Sequence, residues 1–210
     1  FTIRDRDDWN AYENGFGLTR LDGSAKPALG ALRETNTWLH TLVGRRTRVV
    51  ALAPLADAAV RQQHPTATAG SSTTLSVDAR ETDDVASTRV TSYLRFSLPA
   101  LAAGESVDAA TLGLHVTDPT VDGPEVWTTA TSWRESTTTW RSGRPARRGT
   151  SPVADFGETP VGRVTVPVPA LPASGEVSFE LHAASADRLR FASREAPAAQ
   201  RPQLTLLIRS

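Results

Sequence analysis

Two adjacent pairs of acidic residues and one isolated glutamate are the residues of this chain that could supply acid–base chemistry. They are Asp7 and Asp8, Asp83 and Asp84, and Glu135. Hydrolysis of a glycosidic bond needs two carboxylates about 5 to 10 Å apart on either side of a cleft. Adjacent acids on one loop point in different directions, and such pairs usually lie on a solvated surface. We therefore assign no catalytic residue to this chain.

Serines and histidines give no catalytic or metal-binding pattern either. The chain has no Gly-x-Ser-x-Gly motif, which carries the nucleophile of many serine hydrolases. The histidines lack the i, i+4 spacing of a helical metal site and the i, i+2 spacing of a strand site. They are His40, His64, His115 and His182. The sequence predicts no metal site built on histidine.

Aromatic and arginine side chains fit saccharide recognition better. A sugar ring stacks its C–H groups on an aromatic face, and planar polar groups bind its hydroxyls or carboxylates. Alternation along the predicted strands places several such side chains opposite the apolar ones. The candidate carbohydrate-binding residues are Tyr93, Arg95, His115, Trp127 and Arg194. If their strands are neighbours, Arg95, His115 and Arg194 form a basic strip, which would favour an acidic polysaccharide such as alginate.

Less specific interpretations of these residues stay open. The basic strip could be an ordinary charged solvent face, or Arg194 could pair internally with Glu195 or another acid. Trp133 and Trp140 could be a stacking platform or part of the framework of the domain. Trp127 alternates outward from Val126 and is the better candidate for a platform.

A cluster of arginines on a Gly/Pro-containing loop is the densest positive patch of the sequence. Its members are Arg141, Arg144, Arg147 and Arg148. Such a patch could guide a polyanion, nucleic acid included. The chain carries 23 basic and 23 acidic residues and no nucleic-acid fold signature, so we favour polysaccharide binding or simple solubility for it.

The elements that must position these residues fall into two segments. Residues 1–44 contain one predicted helix at about 27–43, which Pro27 begins and Gly44 ends. Residues 45–48 are interpreted as a linker. From 49 to 210 the apolar period is two, as in Leu94/Phe96/Leu98 and Leu204/Leu206/Ile208. This pattern predicts a mainly β fold, an antiparallel two-sheet β-sandwich of the jelly-roll type.

Composition excludes several classes of protein. Without cysteine, the chain has neither disulfides nor a thiolate metal site. Its apolar runs, such as residues 49–53, are far shorter than the roughly 20 residues that span a bilayer, so we expect no membrane partner. The chain begins at Phe1, without methionine or a signal peptide, and we expect it to be a mature or excised piece.

Several motifs of residues 49–210 together resemble one known family, the DNRLRE-type domain. They include residues 57–60, 92–98, Trp133-Arg134-Glu135 with Thr138-Thr139-Trp140, 191–195 and 201–204. This family is similar to jelly-roll carbohydrate-binding modules that bind alginate. The resemblance implies a sandwich appended to extracellular bacterial enzymes.

The front segment resembles a different kind of protein. Residues 12–18 and 22–28 are similar to the last strand-and-helix unit of a cellulase-like glycoside hydrolase (β/α)₈ barrel. The resemblance implies an upstream catalytic barrel domain, whose acid and nucleophile would precede Phe1.

Together these observations predict a non-catalytic carbohydrate-binding module that targets a secreted, extracellular polysaccharide-degrading enzyme to its substrate. We expect a monomer with polysaccharide as its partner and no cofactor. A structural calcium ion is a further hypothesis, with Asp57, Asp78 and Asp83 as ligands. The alternatives are a structural spacer or cell-surface adhesion module without a sugar site, and an active hydrolase or lyase.

Overall fold

The computed structural model describes residue 24 and residues 27–43, 46–79, 89–169 and 171–210. Helix α1 spans Pro27–Val43, the range that the sequence predicts, with Pro27 at its first position, where a missing N–H costs nothing. No described helix has the length and apolarity to cross a membrane. The chain divides into two compact units, Phe1–Arg46 and Thr47–Ser210. The second unit therefore begins inside the segment that the sequence suggested as a linker.

The secondary structure in the described part of the second unit comprises β-strands and one 3-10 helix, joined by loops. In chain order the elements are β1 (Thr47–Leu52), β2 (Ala56–Arg61), β3 (Thr74–Val77), β4 (Val90–Leu98), β5 (Ser106–Asp118), β6 (Glu125–Thr128), β7 (Ala154–Asp155), β8 (Gly162–Val168), β9 (Gly175–His182), β10 (Leu189–Ala192), the 3-10 helix Ala198–Gln200 and β11 (Gln203–Arg209).

The strands form two antiparallel sheets. A six-stranded sheet has the order β1-β11-β5-β10-β3, and β8 also pairs with β5. A five-stranded sheet has the order β2-β4-β9-β6-β7. Strand neighbours are far apart in sequence, as in the pairing of β4 with β9. The predicted mainly β, antiparallel two-sheet sandwich is therefore confirmed.

The core lies between the two sheets and contains the side chains that the period-two pattern turned inward. On β4 and β9 the apolar side chains at alternate positions enter this core. Phe96 and Phe179 meet edge to face, with ring centroids 6.3 Å apart. Burial of these alternating apolar side chains is the main force that holds the sheets together.

A second, smaller apolar cluster covers the outer face of the five-stranded sheet. It joins Tyr93 and three residues of β2 to Trp133, which comes from the loop of residues 129–148. The rings of Tyr93 and Trp133 lie 5.9 Å apart at an interplanar angle of 54°. This sheet is therefore covered on both faces at the end where the 129–148 loop lies.

Truncation of a core ring should destabilise the sandwich strongly. Phe179→Ala leaves a cavity opposite Phe96, and we expect the free energy of unfolding to fall by about 3 to 5 kcal/mol. Val121→Ala is the control, because this side chain is 79% exposed, and it should change the free energy by less than about 0.5 kcal/mol. Urea unfolding followed by tryptophan fluorescence measures both. Equal effects of the two substitutions would contradict the assigned core.

Candidate functional site

The 129–148 loop is anchored to the five-stranded sheet by its first residues. The buried indole of Trp133 donates a hydrogen bond from Nε1 to Ser178 Oγ of β9, at 2.8 Å. Thr129 Oγ1 donates to the same hydroxyl oxygen at 2.8 Å. A buried indole N–H needs a hydrogen-bond acceptor. The bond to Ser178 supplies that acceptor and also fixes the orientation of the Trp133 ring. The loop is thereby held on the outer face of the sheet.

The distal part of the loop is shaped by its own hydrogen bonds. Thr138 Oγ1 donates to the carbonyl oxygen of Arg134 at 2.8 Å, and the N–H of Thr139 donates to the carbonyl oxygen of Ser142 at 2.8 Å. Gly143 has a φ of 74°, where a side chain would be strained, and an added Cβ would lie 2.8 Å from a backbone oxygen. These bonds give the arginines that follow a defined position.

A groove of about 820 Å³ lies between this loop and the sheet. Its floor is formed by outward-facing side chains of β4 and β9, and one wall by the distal loop. The described lining residues are Asp78, Ala79, Arg89, Thr91, Tyr93, Trp140, Arg141, Ser142, Gly143, Arg144, Pro145, Arg147, Glu180, His182, Ala183 and Ala184. The volume is within the range of ligand-binding clefts.

Arginines dominate the charge of the groove. Arg147 forms an ion pair with Glu180, with Nη2 and Oε1 2.6 Å apart, so these two charges compensate each other. Asp78 is paired in turn with Arg188, which lies outside the lining. Within the described ranges, Arg89, Arg141 and Arg144 form no ion pair. The groove therefore presents three guanidinium groups that no described acid compensates, on a chain that is neutral overall.

Two of the groove arginines are stacked on tryptophan rings. The guanidinium carbon of Arg144 lies 4.7 Å from the ring centroid of Trp140, and that of Arg147 lies 4.1 Å from the ring centroid of Trp127. The Trp127 indole also donates from Nε1 to Glu125 at 2.9 Å. Cation–π stacking holds a guanidinium flat and leaves its edge free to donate. The groove thus offers oriented donors rather than bare aromatic faces.

Two titratable groups on the groove floor are held neutral near pH 7. Burial and the charge of Arg147 lower the pKa of His182, although Glu180 opposes them. Burial, reinforced by the charge of Glu180, raises the pKa of the Tyr93 hydroxyl. At neutral pH the positive charge of the groove therefore comes from arginine alone.

Among the five predicted carbohydrate-binding residues, Tyr93 is the one in the groove lining. It faces away from the core, as alternation predicts, yet it is only 2% exposed because Trp133 covers it. Trp127 lies beside the groove, and Arg147 occupies one face of its ring. Direct contact of either ring with a sugar stays a prediction.

The predicted basic strip of Arg95, His115 and Arg194 is not formed. Arg95 belongs to β4 of the five-stranded sheet and His115 to β5 of the six-stranded sheet, so they do not share a face. Arg95 donates from Nη1 to the carbonyl oxygen of Thr131 at 2.8 Å, and its guanidinium lies 5.4 Å from the Trp133 ring centroid. Arg95 therefore supports the 129–148 loop. His115 lies next to Arg163 of β8, far from this loop in the topology.

Arg194 lies beyond β10 and is committed to internal carboxylates. Its Nε is 2.8 Å from Oε1 of both Glu135 and Glu195, and its backbone N–H donates to Asp57 Oδ2 at 2.7 Å. Burial, together with the charges of Glu195 and Glu135, raises the pKa of Asp57 to about 7. The interpretation that pairs Arg194 with Glu195 or another acid thus agrees with its contacts, and direct binding of a uronate by Arg194 stays a prediction.

The acidic residues that the sequence suggested for catalysis or for calcium binding lie in different parts of the chain. Asp7, Asp8, Asp83 and Asp84 lie outside the described residues. Glu135 is described, and it belongs to the Arg194 network. Asp57 and Asp78 of the suggested calcium set have different surroundings, since Asp78 forms an ion pair with Arg188 and Asp57 accepts a hydrogen bond from the backbone N–H of Arg194.

The site prediction missed several groove residues. They are Arg89, Trp140 and the three arginines of the 129–148 loop that line the groove, Arg141, Arg144 and Arg147. The sequence contained a signal for three of them, because Arg141, Arg144 and Arg147 form its densest basic cluster. Arg89 carried no signal, since its approach to this cluster follows from the antiparallel arrangement of the strands. Trp127 was among the predicted site residues and Trp140 was considered as a platform or as framework, but the guanidinium groups that cover both rings were not predicted.

Comparison with known proteins assigns the sandwich to a family. No curated protein matches the chain. A family model, Carbohydrate-binding module family 96, matches residues 48–208, which is nearly the whole sandwich. The chain belongs to carbohydrate-binding module family 96, and its sandwich is a carbohydrate-binding module.

Proposed function

We propose that the groove beneath the 129–148 loop binds an acidic polysaccharide through the carboxylates of its sugar units. The single observation that carries this proposal is the set of three groove arginines without an ion pair in the described part of the chain, Arg89, Arg141 and Arg144. Each guanidinium can donate two parallel hydrogen bonds to one carboxylate. A uronate polymer such as alginate or pectin presents carboxylates at the spacing of its rings.

The coverage of the aromatic rings supports an acidic over a neutral glycan. A neutral glucan is bound largely by stacking of sugar C–H groups on open aromatic faces. Here one face of Trp140 and one of Trp127 already carries a guanidinium. A neutral sugar that stacked on the same face would have to displace the guanidinium and lose the cation–π contact, whereas a carboxylate binds the free edge of the guanidinium where it lies.

We further propose that the module targets a secreted polysaccharide-degrading enzyme to its substrate. Family membership and the resemblance of residues 1–44 to the end of a glycoside hydrolase barrel support this role. Tethering raises the concentration of an enzyme at an insoluble polymer without adding chemistry.

Fusion of the chain to a polyuronate-degrading enzyme tests this role. The fused enzyme should degrade insoluble polymer faster than the enzyme alone, and both should degrade soluble oligomers at the same rate. Equal rates with and without the chain on both substrates would contradict targeting.

A structural spacer or adhesion module without a sugar site is the second candidate function. The contacts of Arg95 and Arg194 favour the spacer, because each of these arginines is bound to another part of the module, Arg95 to the Thr131 carbonyl and Arg194 to Glu135. The groove arginines without an ion pair to any described acid favour carbohydrate binding instead. The following substitution test separates the two functions.

Loss of a groove arginine should weaken binding to a polyuronate. For Arg144→Ala we expect a loss of about 1.5 to 3 kcal/mol, or roughly 10- to 150-fold in Kd, because a charge-assisted pair is removed. Arg209→Ala is the matched control, since this arginine lies on β11 and pairs with Asp108. Calorimetry against alginate and polygalacturonate oligomers, with a neutral β-glucan for comparison, measures the affinities.

The outcomes of that titration decide between the two candidate functions. Binding of acidic oligomers that weakens with added salt and with Arg144→Ala supports the groove. Binding of the β-glucan alone would contradict an acidic ligand. The absence of binding to every oligomer would favour the spacer.

Arg95→Ala should affect stability rather than affinity. Its guanidinium bonds the Thr131 carbonyl and covers Trp133, so its loss leaves the base of the loop less well held. We expect the free energy of unfolding to fall by about 1 to 3 kcal/mol, against less than about 0.5 kcal/mol for the half-exposed Arg190→Ala. Thermal unfolding and calorimetry are measured on the same samples, below the transition. Weaker glycan binding at unchanged stability would place Arg95 in the site itself.

A further inference from the structure

Three carboxylates from distant parts of the chain meet at one end of the sandwich. Asp57 lies on β2, Glu135 in the 129–148 loop and Glu195 beyond β10. One oxygen of each lies within 4.8 Å of one oxygen of each of the others, the only such group among the described residues. These residues are separate from the groove lining.

Among the described residues, the basic side chain paired with the cluster is Arg194, and it does not balance the charge of the three acids. Arg194 Nε is 2.8 Å from Glu135 Oε1 and from Glu195 Oε1. Arg194 Nε is itself buried without an aligned hydrogen-bond acceptor. When all three acids are ionised, one guanidinium leaves two negative charges uncompensated, which a single divalent cation would neutralise.

A buried, unpaired oxygen is the second and independent indication of a ligand. Asp57 is 0% exposed, and its Oδ1 has no hydrogen-bond partner, while Oδ2 accepts the Arg194 backbone N–H. A buried carboxylate oxygen without a partner is costly unless a charge compensates it. Glu135 Oε1 meanwhile accepts the Asp57 N–H at 2.7 Å, which holds the two acids together.

We propose that Asp57, Glu135 and Glu195 bind a calcium ion. The cluster offers oxygen atoms only, and hard divalent cations prefer these. The three carboxylates come from separate elements and do not form a regular octahedron around one point, which Ca²⁺ tolerates because its coordination is flexible, whereas Mg²⁺ demands near-ideal octahedral geometry and keeps several waters. Backbone oxygens and water complete the shell.

The position of the site explains what the ion does. Asp57 belongs to the five-stranded sheet, Glu195 follows a strand of the six-stranded sheet, and Glu135 lies just after Trp133 in the 129–148 loop. An ion bound to all three ties both sheets to the root of the loop that forms the groove wall. Calcium therefore stabilises the folded module, by an amount that grows with its concentration.

The test titrates calcium into the full chain after removal of metal with a chelator. Calorimetry with CaCl₂ should show one equivalent bound, with weaker binding of MgCl₂, and the unfolding temperature should rise with calcium. Glu195→Gln keeps the shape and its Ser193 partner but removes a charge, so we expect at least about a tenfold loss of calcium affinity. Asp118→Asn, at a half-exposed acid paired with Arg190, is the matched control and should bind as before.

A second variant, Glu135→Gln, serves if Glu195→Gln fails to fold. Neither heat nor a rise in unfolding temperature at up to about 10 mM calcium would overturn the proposal, because extracellular modules bind at about 0.1 to 1 mM. Calcium binding that survives in the glutamine variants would place the ion elsewhere and would also overturn it. No glycan is present, so these results are independent of the proposed polysaccharide binding.

Discussion

Burial of the Trp133 indole holds the 129–148 loop on the five-stranded sheet. The ring covers Tyr93 on the outer face of the five-stranded sheet, and its N–H is bonded to Ser178 beneath it. Arg95 closes the other side of the ring. Everything that the loop carries beyond Trp133 depends on this anchor, because the arginines of the groove wall follow within 15 residues of it.

Aromatic rings beside the groove support arginine side chains instead of offering open faces to a sugar. Trp140 and Trp127 each carry a guanidinium that is oriented by stacking. A stacked arginine loses less side-chain entropy when it binds a carboxylate than a free one does, because its rotamer is already restricted. The groove combines this pre-organisation with a shortage of internal acids, since Glu180 compensates Arg147 while Arg144 has no acidic partner among the described residues. A neutral chain can thus carry a strongly cationic site.

Period-two burial was enough to predict the sandwich. The alternation of apolar and polar residues around Leu94 and Leu204 predicts which face of each strand points into the core. Both leucines are completely buried in the structure. The side-chain face of Tyr93 was likewise predictable. Its burial was not, because Trp133 reaches it from a loop that is 40 residues further along the chain.

Pairing between distant residues is also why the predicted basic strip was wrong. Alternation says that Arg95 and His115 leave the core, but it does not say which sheet each strand joins. The partners of Arg194 are similarly nonlocal, since Glu135 and Asp57 come from elsewhere in the chain. The cluster of arginines between 141 and 148 was visible in the sequence because it is local. The family then follows from the chain as a whole rather than from any of these residues alone.

The most direct test of the groove as the binding surface is a titration of the ¹⁵N-labelled chain with a short oligouronate, followed by backbone amide chemical shifts. We predict that the largest shifts fall at residues 140–147 and at Glu180 and His182, the groove wall and floor. The amides around His115 and Arg163, on the opposite sheet, should stay unchanged. Largest shifts on that opposite sheet, or shifts without any spatial focus, would contradict the account.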